Sequence, residues 1–231
     1  MSAQSESYSG IEQKRGTLFA IKRQPPKQQP FLVVLEGGID KPESARVLVD
    51  PNAMDSTGHT AIDWYRPSPD GKLVCYTSIL PEGGVSVSVM NHDGSEKRRV
   101  VKSASKVGAT FPNWSSDSKQ IIYSFPVSNS LELWIINVDG TGERQLTKFG
   151  GTSVCTPSAW SPDGAWISFR KTDERYWSNK ERMLKIYSEK PADKRPVWVI
   201  RPDGSDATLI EPLRFQMAID GSRASWKPTE R

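Results

Sequence analysis

A recurring box constrains this chain more than any other feature of its sequence. Trp114 and Asp117 in Trp114-Ser115-Ser116-Asp117 return as Trp160 and Asp163 in Trp160-Ser161-Pro162-Asp163, each pair 46 residues apart. An earlier copy, Ser68-Pro69-Asp70-Gly71, places its aspartate 47 residues before Asp117, and Ala224-Ser225-Trp226 is a late, truncated one. A second box alternates with the first: His92-Asp93-Gly94-Ser95, Val138-Asp139-Gly140-Thr141 and Pro202-Asp203-Gly204-Ser205. Asp93 and Asp139 are again 46 apart, whereas Asp203 follows Asp139 by 64, so about 18 extra residues lie in the last full repeat, between about 172 and 195. A fixed period of this size implies stacked supersecondary units rather than one irregular core.

Between the boxes lie short β-branched and aromatic runs, Lys119 to Phe125, Leu131 to Val138 and Ala165 to Phe169, bounded by turn residues; these are strand signals. Each unit then reads as a four-stranded antiparallel meander, the blade of a β-propeller. The expected fold is all-β, with about four blades: 16–50, 59–102, 110–147 and 156–211. Residues 1–15 read as a polar N-terminal segment and 16–231 as one propeller domain. Because 16–50 offers three strands and Ser222 to Trp226 is an orphan opening strand, the expectation is that the C-terminal strand completes the first blade and removes its open edge. Four blades close within one chain or, two chains together, as an eight-bladed homodimer. The quarter-circle wedge that each of four blades would have to fill tips the expectation toward the dimer.

Composition narrows the function classes. With 231 residues the chain is long enough for a real core, and eight Trp, seven Phe and six Tyr supply its bulk. The excess of 31 basic over 27 acidic residues is too small to argue for nucleic acid. No apolar run reaches the roughly 18–20 residues of a membrane helix, and the start MSAQSESYSG lacks the apolar stretch of an export signal. A soluble protein follows, cytoplasmic as written and periplasmic if a signal has been removed, with no nucleic-acid partner and no membrane insertion expected.

The boxes at Trp114 to Ser118 and Trp160 to Gly164, with Asp139-Gly140-Thr141 and Arg144-Gln145-Leu146-Thr147, resemble the TolB-type propeller repeat over about 106–231. From Gly16 to Ile79 the order Arg46-Val47-Leu48-Val49-Asp50-Pro51-Asn52, then Gly58 to Ala61, then Ser68-Pro69-Asp70-Gly71, resembles the propeller of prolyl oligopeptidases. Both families usually carry six or seven blades. The oligopeptidase resemblance implies, as an alternative function, a propeller fragment or accessory domain of a serine peptidase. Its catalytic partner would carry a Gly-x-Ser-x-Gly elbow, which these 231 residues do not contain; the nearest string, Gly151-Thr152-Ser153-Val154-Cys155, lacks the last glycine.

The remaining chemistry is sparse. The two histidines, His59 and His92, fall in a linker and a hairpin turn, and no Cys/His spacing suits a metal, so no catalytic residue, metal or cofactor is expected. Cys75 and Cys155 are small buried thiols or one bridge. Asp70, Asp117 and Asp163 read as Asx-turn carboxylates rather than a cation site, and Trp114, Trp160 and Trp226 as packing residues. Function is expected where the repeat breaks, since loops grafted on a rigid scaffold carry it. There Arg175, Tyr176 and Trp177 combine the residue types that dominate binding energy. The expectation is a noncatalytic module binding a protein or peptide through these three residues or its channel face.

Overall fold

The computed structural model describes residues 5–81, 84–101, 109–172, 197–210, 218–220 and 223–225, with no account of the side chains of Pro42, Ser158 and residues 218–225. The chain divides into two compact units, residues 1–109 and 110–231. Nearly every element is an antiparallel strand, and the fold class is that expected from the repeat.

The first unit holds two four-stranded sheets. One runs in order through β1 (Ser7–Lys14), β2 (Thr17–Arg23), β3 (Phe31–Leu35) and β4 (Ala45–Val49); the other through β5 (Ala61–Pro67), β6 (Leu73–Ile79), β7 (Val85–Asn91) and β8 (Arg98–Val101). All five residues of β3 are buried, and the period of two explains how. Leu32 and Val34 join Phe19, Val74, Tyr76 and Met90 on one face, while Phe31, Val33 and Leu35 join Ala20 on the other. A strand covered on both faces reads as a continuous apolar run.

The strand β1 corrects two expectations. Residues 7–14 do not stand apart from the first sheet as a polar N-terminal segment: they pair with β2 and supply the strand that the C-terminus was expected to provide. The reason they were unreadable is physical, because β1 is an edge strand whose residues alternate between exposed and half-buried, leaving little apolar pattern to find. At the other end, β17 (Ala218–Asp220) and β18 (Arg223–Ser225) pair with each other as a two-stranded hairpin. Trp226 lies outside the described residues.

In the second unit, β9 (Thr110–Trp114), β10 (Gln120–Val127), β11 (Ser130–Asn137) and β12 (Arg144–Gln145) form one meander. A second is built from β13 (Val154–Trp160), β14 (Ile167–Thr172), β15 (Val197–Ile200) and β16 (Thr208–Ile210). A single parallel pair, Leu131 with Val154, joins them into one sheet. Ile122, Leu133, Ile135, Cys155, Ile167 and Phe169 are buried together, with Trp160 packed against them. Trp114 is buried as well, so both described box tryptophans do packing work. Cys75 and Cys155 are free, buried thiols, and burial pushes the Cys75 thiol well up.

The boxes are turn locks. In the first, the serine hydroxyls of Ser68, Ser115 and Ser161 donate to Asp70, Asp117 and Asp163 at 2.6, 2.6 and 2.5 Å. The same carboxylate oxygens accept the amide two residues on, at 3.1, 3.0 and 3.0 Å. Each serine oxygen also accepts the amide five residues on, from Leu73, Gln120 and Trp166. Ser118, at φ 63°, occupies the left-handed position that Gly71 and Gly164 fill in the other two copies. In the second box, Asp93, Asp139 and Asp203 each accept the hydroxyl and amide of the residue two on. The aspartates are therefore Asx-turn residues.

Candidate functional site

Three chain segments of the second unit meet at one end of its sheets: the β10–β11 turn at Ser128 and Asn129, the connection from β12 into β13, and the two roots of the segment 173–196. The pairing fixes this placement. Thr172, the last residue of β14, pairs with Val154, and Val154 pairs with Leu131 at the start of β11. The extra length inferred from the spacing therefore leaves the sheet after Thr172 and re-enters at Val197, where β15 begins. Arg175, Tyr176 and Trp177 lie outside the described residues.

An open depression of about 490 Å³ lies at this end, lined by Ser128, Asn129, Glu132, Lys148, Gly150 and Gly151 among others. A second, of about 360 Å³, runs beside β12 and includes Phe149, Ile200 and Asp203; both include Gln145 and Lys148 in their walls. The β12–β13 connection is held back onto β11 by backbone bonds from Leu131 to Ser153 and from Leu146 to Leu133. Gly150 and Gly151 sit at φ 65° and 61°, and a side chain at either would meet nothing within 4 Å among the described residues. The Gly150 amide and carbonyl are already bonded, to Glu132 and to the Ser153 amide, so what the two glycines offer is a stretch of wall without side chains, with room for a ligand to approach.

Glu132 is the charged group buried in this wall, 1% exposed within the otherwise apolar stretch Leu131 to Ile136 of β11. One carboxylate oxygen accepts the Thr147 hydroxyl at 2.6 Å and the other accepts the Gly150 amide at 2.8 Å. The Thr147 oxygen in turn accepts the Leu133 amide at 2.8 Å. Among the described residues no cation stands within ion-pair distance of Glu132, and Lys148, exposed at the rim, forms no ion pair. Next to it is an aromatic group. Phe149 and Trp198 meet edge to face at 5.4 Å, Phe169 lies within 6.2 Å of both, and the Lys171 ammonium sits 5.1 Å above the Phe149 ring, a cation–π geometry.

Sequence reasoning located the break in the repeat but missed Glu132. The available signal is a lone acid inside Leu131-Glu132-Leu133-Trp134, since an acid in a buried strand needs a structural or binding reason. The other chemical candidates stay structural. The His59 ring meets the Thr57 hydroxyl at 2.8 Å within a loop organised by Asp55, and the amide of His92 bonds the Lys72 carbonyl in its turn. Among the described residues no group of three or more His, Cys, Asp or Glu is placed to hold a metal, and no helix is long and apolar enough to cross a membrane.

Comparison with known proteins gives this geometry a context. Residues 2–131 match the sequence profile of the prolyl oligopeptidase N-terminal β-propeller domain, a span that includes the 16–79 stretch where the resemblance was read. Dipeptidyl-peptidase 5 of Porphyromonas endodontalis is 31% identical over 107 residues, 44% of this chain and only 15% of that protein. In structure, one of two prolyl endopeptidases analysed for inter-domain dynamics in catalysis and specificity superposes over 88% of this chain and 29% of its own, with a TM-score of 0.66 at 20% identity. Prolyl oligopeptidase B from Galerina marginata, bound to a 35mer hydrolysis and macrocyclization substrate, matches 89% of this chain and 30% of its own, at a TM-score of 0.62 and 16% identity. A TolB candidate from Agrobacterium tumefaciens matches 84% of this chain and 60% of its own, at a TM-score of 0.58 and 17% identity. The structural likenesses bear on fold alone, and the chain spans between 15% and 30% of the length of these peptidases.

Proposed function

Because the chain belongs to the prolyl oligopeptidase N-terminal β-propeller domain family, we propose that it acts as a noncatalytic propeller module that engages a peptide or a protein segment. The observation that carries this reading is the open depression at the end of the second unit, where the Gly150–Gly151 turn, without side chains, a buried carboxylate and an aromatic group adjoin. Arg175, Tyr176 and Trp177 belong to the segment rooted at this same end, and we assign them binding contacts. The family membership also favours a second reading, in which this propeller is the accessory domain of a prolyl-oligopeptidase-like serine peptidase and shapes access to a site carried elsewhere.

The test is a panel of acetylated, amidated tripeptides of the form Ala-X-Ala, titrated into the purified chain by calorimetry and followed by mass spectrometry for cleavage. Binding of some members without cleavage is expected. Cleavage that copurifies with the chain, or binding by no member of the panel, contradicts the noncatalytic binding role.

A further inference from the structure

We propose that Glu132 recognises a cationic side chain, a guanidinium or ammonium, presented by the peptide that occupies the depression it lines. The inference rests on the peptide-binding reading and names the chemistry that the site selects.

An ionised carboxylate offers about four lone-pair positions. Glu132 uses two of them, for the Thr147 hydroxyl and the Gly150 amide, both neutral donors. Removing a carboxylate from water is costly unless its charge is met, yet the described residues set no cation against this one. Glu132 lines an open depression rather than a closed core. Only 1% of Glu132 is exposed, so the ligand cation has to enter the wall to meet the remaining acceptor capacity of the carboxylate, in surroundings where a charge-assisted hydrogen bond is stronger than in water. The glycine wall beside it leaves room for the ligand backbone. Lys148, exposed at the rim, suits an anionic neighbour on the same ligand.

The site also lends itself to a clean substitution. In Glu132→Gln the amide oxygen accepts the Gly150 amide, and the amide nitrogen donates to the Thr147 oxygen, which has a second lone pair beyond the one taken by Leu133. The Gly150 bond is kept, the Thr147 contact is kept with its direction reversed so that the Thr147 hydroxyl proton must turn to another acceptor, and the charge is lost. The experiment titrates acetyl-Ala-Arg-Ala-amide and the same peptide with neutral citrulline in place of arginine into the full chain and into Glu132→Gln. The wild type should prefer arginine about tenfold or more, with the preference falling as salt is raised, and Glu132→Gln should erase it. Equal binding of the two peptides by the wild type, or an unchanged preference in Glu132→Gln, overturns the proposal. The wild-type comparison and its salt dependence decide the matter even if the variant folds poorly. If other Ala-X-Ala peptides bind with no advantage for arginine, this proposal fails and peptide binding stands; if none binds, the reading beneath it fails too.

Discussion

At the residue scale, six aspartates do repeated work: Asp70, Asp117 and Asp163 tie the first turn of a unit, and Asp93, Asp139 and Asp203 tie the second. The acidity of Asp93, Asp117, Asp163 and Asp203 follows from this. The Ser161 hydroxyl foremost, then the Ala165 amide, holds the Asp163 carboxyl below its usual range, and Ser95 and Ser205 do the same for Asp93 and Asp203. At Asp117, partial burial pulls the other way and is outweighed by bonds from Ser115 and Lys119. A carboxyl whose folded-state pKa is depressed contributes stability above its unfolded value, about 3.9, which is lost as pH falls through the folded value. We therefore predict that the melting temperature falls as pH drops below about 4, and that Asp163→Asn, whose amide oxygen can still accept both bonds, flattens part of that fall; a parallel pH profile for the variant would refute the role. Ser161→Ala removes the acceptor of the Trp166 amide as well as a donor to Asp163. It should cost about 1–2 kcal/mol in urea unfolding, and an unchanged midpoint would show that the lock is dispensable.

At the element scale, neighbouring four-stranded meanders are fastened by a pattern shared by both units. Arg46 donates to the Asp93 carbonyl at 2.6 Å, and Arg144 bonds the Pro202 carbonyl, so in each case an arginine on the last strand of one meander grips the Asp-Gly turn of the next. Two residues beyond each arginine, Leu48 and Leu146 lie against Gly94 and Gly204, where an added side chain would meet a leucine methyl at 3.2 Å and a carbonyl oxygen at 3.3 Å. Gly38 also has a left-handed φ, 79°, but nothing within 4 Å. Replacement by alanine should therefore cost about 1–2 kcal/mol from backbone strain at Gly38, and measurably more at Gly94 and Gly204; equal losses at all three would mean that the turns do not bear on the leucines. The repeat made the meanders legible because identical turn chemistry leaves identical strings, and strands such as Leu131 to Val138 stand out where both faces are covered. The edge strand β1 left no such trace, since half its pattern faces water. The arginine grip joins residues 47 and 58 positions apart, a separation at which local periodicity is silent. Glu132 was equally hidden, because its meaning depends on Thr147 and Gly150 folding back over it.

At the scale of the whole molecule, two proposals can be separated. A ring shared by two chains predicts a sedimentation mass twice the 25.8 kDa of one chain, and a single-chain mass at working concentrations contradicts it. Binding is the central claim, and the end of the sheets at which it occurs distinguishes it from nonspecific association. The turn locks at 115–118 and 139–141 connect strands at the end opposite the β10–β11 turn, because successive turns of a meander alternate between the two ends of its strands. The most direct measurement is amide hydrogen exchange of the full chain with and without saturating acetyl-Ala-Arg-Ala-amide. Slowed exchange confined to 128–132 and 148–153, with the turns at 115–118 and 139–141 unchanged, is the result predicted; protection at those opposite turns, or none at 128–132 and 148–153, would contradict it.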